Sequence, residues 1–181
     1  MLFRSAVIVG VIKGPDGPVP APGAEDVDTA LGGTLAATLA ALGATGAAGE
    51  VTRIASGGAL PAPLIVAAGL GPAPDPPTPQ FPSLHALREA AGAGVRAVAG
   101  KADRVAVSLP VRDAPEAEAV ALGALLGSYA FNRYRTEAKP GPADIVLITG
   151  GDPSFGAEEA AQRGRVLADG QDCRPQGDPY R

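Results

Sequence analysis

The chain predicts a three-layer α/β/α domain built on a central mixed, mostly parallel sheet. Short apolar runs rich in Val and Ile recur at 6–12, 51–54, 63–69, 103–109 and 143–149. Most are nearly continuous rather than alternating, which marks strands buried on both faces. Between them lie longer stretches whose apolar residues return every three or four positions, as they do in helices with one buried side. Strands that alternate with such helices call for helices on both sides of one sheet.

The elements follow in order. Ala6-Val-Ile-Val-Gly-Val-Ile12 is a strand, stopped by the turn chemistry of Gly14-Pro-Asp-Gly-Pro18. Val27, Leu31, Leu35, Leu39 and Leu42 form a helical stripe from Asp26 onward. Gly32 and Gly33 inside it cost roughly 1 kcal/mol each relative to Ala, and imply either tight packing on the sheet or a poor helix. Val51–Ile54 and Pro63–Gly69 are the next strands, followed by the Pro-rich loop 71–79. Ser83 caps a helix with Leu84, Leu87, Ala91, Val95 and Val98 on one side. After the strand 103–109, Asp113-Ala-Pro-Glu116 has capping-box spacing and opens a helix carrying Leu122, Leu125, Leu126 and Tyr129. Ala143–Thr149 is the last strand, and a weaker helix is expected over 155–168. The reading gives one domain over 1–169 and a disordered tail over 170–181, where apolar residues almost vanish.

Composition narrows the function classes. In 181 residues, 46% are hydrophobic and 19% charged, a globular balance despite 25 glycines and 19 prolines. The net charge of −4 lacks the basic excess expected of a nucleic-acid binder. Cys173 is the single cysteine, so no intramolecular disulfide forms. No apolar run has the length and helical continuity of a membrane span, and the first residues do not read as a secretion signal. A cytoplasmic, soluble protein is expected.

Three motifs carry chemical suggestions. Gly69-Leu-Gly71 follows a strand, but the third glycine of a dinucleotide fingerprint would fall on Pro74, and the next helix begins too late to meet a phosphate. It is read as a strand-to-loop turn. Ser154 in Gly150-Gly-Asp-Pro-Ser-Phe-Gly156 lacks nucleophile-elbow spacing and is read as a helix N-cap. One histidine, His85, and one cysteine leave only carboxylates for a metal. The pairs Asp26/Asp28, Glu116/Glu118 and Glu158/Glu159 look like helix-start charges. No catalytic or metal residue is assigned.

The most distinctive stretch is Leu126-Gly-Ser-Tyr-Ala-Phe-Asn-Arg-Tyr134, with Arg135 beyond it. Tyr129, Phe131 and Tyr134 are three of only seven aromatics, interleaved with Arg133 and Arg135. Such a segment can pack into a core or domain interface, or stack bases and hold phosphates. The acidic total favours the first. This stretch resembles the end of the N-terminal domain in the leucyl (cytosol) aminopeptidase family. An opening Val-rich strand, Leu31-Gly-Gly-Thr-Leu35, Ile65-Val-Ala-Ala-Gly-Leu-Gly71 and the helix 84–99 add weight by their order. The resemblance implies a macro-domain-like fold that serves as non-catalytic partner of a peptidase domain. It also implies a part in building a hexamer, in shaping access to the active sites and, in some bacterial relatives, in binding DNA.

In that family two divalent ions, Mn or Zn, held by Asp, Glu and Lys, hydrolyse the N-terminal peptide bond. The family's ligand motif Asn-Thr-Asp-Ala-Glu-Gly-Arg is absent from this sequence. Where Arg-Asp-Leu-Val-Asn is expected, Ala168-Asp-Gly-Gln-Asp-Cys-Arg-Pro stands instead. A truncated or frameshifted reading frame, or foreign residues at the end, is the expectation, and this chain itself carries no cofactor. Two other readings stay open: a small-ligand module of the ADP-ribose-binding type, and a DNA-binding accessory domain using Arg133, Arg135 and Lys139.

Overall fold

The computed structural model describes residues 5–73, 81–129 and 141–148. The β-branched opening run becomes β1 (Ser5–Lys13), the centre of a sheet ordered β3-β4-β1-β5-β6. β4 (Leu64–Pro72) and β5 (Arg104–Ser108) flank β1 in parallel, and β6 (Asp144–Leu147) runs parallel to β5 at one edge. β3 (Val51–Ala55) is antiparallel to β4 at the other edge, and the short β2 (Pro18–Pro20) returns antiparallel to β1. The sheet is mixed and mostly parallel.

Successive side chains of a strand point to opposite faces, and β1 divides its residues accordingly. Ala6 and Ile8 enter one core with Val66, Ala68, Val105 and Val107. Val9 and Val11 enter a second core with Ile65 and Ala67. Two 15-residue helices, α3 (Leu84–Val98) and α4 (Ala114–Ser128), cover the first face. The shorter α1 (Glu25–Ala30) and α2 (Leu35–Ala41) cover the second through Val27, Leu35 and Leu39. The three layers read from the sequence are present.

Local detail departs from expectation in four places. The stripe from Val27 to Leu42 is two helices rather than one, because Gly32 and Gly33 take φ of +69° and +75°. A Cβ at either would meet nothing within 4 Å, so backbone conformation and not packing explains them. The second helix is then started by Asp28, whose Oδ1 accepts the Leu35 N–H at 2.9 Å. Leu42 and Leu84, expected on buried sides, are exposed. Pro18, read as part of a turn, begins β2. Finally, α4 buries Ala117, Val120, Gly123, Ala124 and Gly127 and leaves Leu122, Leu125 and Leu126 only half-buried.

That last difference has a steric cause. A Cβ at Gly127 would lie 2.5 Å from the Gly92 carbonyl oxygen, and one at Gly123 would overlap the backbone of Arg88. The two helices meet backbone to backbone, and only small residues fit between them. No helix among the described residues is long and apolar enough to cross a membrane.

Candidate functional site

Ligands of open α/β sheets commonly sit at the carboxyl ends of the strands, where the winding direction reverses. Here that place is the rim around the end of β1, between β4 and β5. It is filled by the chain itself. A Cβ added at Gly10 would lie 2.9 Å from Leu70 Cδ1, 3.1 Å from Ala21 Cβ and 3.3 Å from Leu109 Cδ2. The Ala21 N–H donates to the Gly10 carbonyl at 2.9 Å, and Ser108 Oγ donates to the Gly23 carbonyl at 2.7 Å. These bonds hold the turn after β2 down over the rim.

Gly69-Leu-Gly71 is covered in the same way. The loop 45–50 lies across it, with Gly69 N–H donating to Glu50 O at 2.8 Å and Gly71 N–H to Gly46 O at 3.0 Å. A Cβ at Gly69 would overlap the Ala47 carbonyl. These glycines serve a crossing of two chain segments rather than a phosphate. The loop is fastened by the Glu50 carboxylate, which accepts from Thr45 Oγ1 at 2.7 Å and from the Thr45 and Ala47 N–H groups at 3.0 Å each. Burial pushes the Glu50 carboxyl up, but the hydrogen bonds from Thr45 and Ala47 together outweigh it and set it below the usual glutamate value.

The starts of α3 and α4 form a shallow groove of about 290 Å³ between Pro82, Leu84 and Pro115. Ser83 Oγ accepts the Ala86 N–H at 3.2 Å, and Asp113 Oδ1 accepts the Glu116 N–H at 3.0 Å, so both caps stand as expected. Glu116, only 4% exposed, does not complete the box on Asp113. It reaches one residue further and accepts the Arg112 N–H at 2.7 Å and the Arg112 guanidinium, through Nε at 3.0 Å and through Nη2. The hydrogen bond to Glu116, with the nearby carboxylate charges, raises the Arg112 pKa above its ordinary value. This pair is a structural clamp at a helix start.

Of the residues singled out for an interface or nucleic-acid contact, Tyr129 follows the last turn of α4 and is half-buried. Phe131, Arg133, Tyr134 and Arg135 lie outside the described residues, as do Lys139, Ser154, Cys173, the helix expected over 155–168 and the tail. His85 is a surface residue, its side chain 82% exposed and 3.8 Å from Glu89. Among the described residues no three His, Cys, Asp or Glu side chains come together as metal ligands. The sequence reading missed the Arg112–Glu116 clamp and the Glu50 fastening. The Asp-x-x-Glu spacing signalled half of the first, while nothing local to Glu50 announces the second.

The N-terminal domain of the cytosol aminopeptidase family matches residues 8–138. A probable cytosol aminopeptidase of Streptomyces griseus is 47% identical over 90% of this chain and 31% of its own length. One from Micrococcus luteus is 43% identical over 79% of this chain and 27% of its own. Among solved structures, a K354E mutant of tomato leucine aminopeptidase superposes with a TM-score of 0.62 at 21% identity, over 93% of this chain and 34% of its own. The bottromycin maturation enzyme BotP in complex with Mn gives 0.58 at 23% identity, over 92% and 30%. These two likenesses establish the α/β fold. The chain spans about a third of the length of the curated relatives it matches. It belongs to the cytosol aminopeptidase family, whose N-terminal domain it represents.

Proposed function

We propose that this chain is the non-catalytic part of a cytoplasmic leucyl aminopeptidase, which releases N-terminal amino acids from peptides. Its role is to assemble the enzyme, a hexamer in the family, and to shape access to its active sites. The observation that carries this reading is the match to an N-terminal domain by a chain about a third as long as its relatives. Supporting it, four of the described carboxylates are engaged in the fold: Glu50 fastens a loop, Asp28 and Asp113 start helices, and Glu116 clamps Arg112. Among the described residues no three His, Cys, Asp or Glu side chains gather as ligands, and in this reading the two divalent ions, Mn or Zn, belong to the catalytic domain that this chain would partner.

Residues 1–169 act as the domain in this reading and 170–181 as a tail. In this reading Tyr129, Phe131, Arg133, Tyr134 and Arg135 supply an interface. A chimera tests it, with residues 1–169 replacing the matching first third of the Streptomyces griseus relative. It is expected to assemble to the same size as that relative and to hydrolyse a leucyl anilide. A soluble chimera that stays monomeric contradicts the assembly role, and one that assembles to full size without activity contradicts the role in active-site access.

A further inference from the structure

We draw no further inference here: the strongest candidate, the apolar surface groove of about 420 Å³ between the β1–β2 turn and α2, lined by Pro15, Pro18, Val19, Ala36, Ala37 and Ala40, is an unpartnered face, and nothing in the structure shows what covers it.

Discussion

The α3–α4 face and the α1–α2 face of one sheet are built by opposite strategies. On the first, two long helices with capped starts meet through Gly92, Gly123 and Gly127, and their small residues let the backbones touch. On the second, two helices of 6 and 7 residues are separated by a glycine pair with positive φ, and neither has a side-chain cap at its own N-cap residue. The first face is a close-packed wall with no room to adjust. The second depends on a few large side chains, Val27, Leu35 and Leu39, and on a carboxylate borrowed from the preceding helix. Sensitivity to added volume should therefore concentrate on one side, and sensitivity to lost volume on the other.

The largest expected effect breaks the wall. Gly123→Val puts three carbons where the Arg88 backbone already sits, and should destabilise the chain by about 3 kcal/mol or prevent folding, read by urea denaturation. On the opposite face, Leu39→Ala should cost about 3 kcal/mol by leaving a cavity. Leu42→Ala, at the end of the same helix, should change stability by less than about 0.5 kcal/mol, since Leu42 is exposed. Equal costs for Leu39 and Leu42 would show that α2 seats differently. Gly32→Ala sharpens the contrast with Gly123: open space surrounds it, so only its left-handed backbone is penalised, by about 1 kcal/mol.

The smallest effect is on the loop that follows α2. The Glu50 carboxyl titrates below its ordinary value in the folded chain, so its stabilising contribution is complete above the unfolded value and is lost as pH falls through the lower, folded one. Exchange at the Thr45 and Ala47 amides should quicken over that acid range relative to the rest of the loop. Glu50→Gln should remove this pH dependence. A variant that retains it would place the titrating group elsewhere.

The same contrast explains what the sequence made legible. α3 and α4 were readable to within a residue because their start signals, Ser83 and Asp113-Ala-Pro-Glu116, are local and lie directly before the helices. Which side of α4 is buried was not. Hydrophobicity points to Leu122, Leu125 and Leu126, whereas backbone contact selects Gly123 and Gly127, and no rule based on apolar period ranks glycine as core. On the other face the spacing of Val27 through Leu42 is helical throughout, so only the conformation of Gly32 and Gly33 reveals the break. β2 was lost to its prolines, which sit on a short strand where few ladder donors are needed. The rim is illegible for a different reason. Ala21, Leu70 and Leu109 meet over Gly10 from three distant segments, and that meeting fills the rim around the end of β1.

The central proposal is a scaffold domain whose chemistry resides in a partner domain. The most direct check is hydrolysis of a leucyl anilide by the purified chain with Mn²⁺ or Zn²⁺ added. The rate is expected to equal that of the metal alone at every protein concentration. Turnover that grows with protein concentration and disappears on chelation would contradict it.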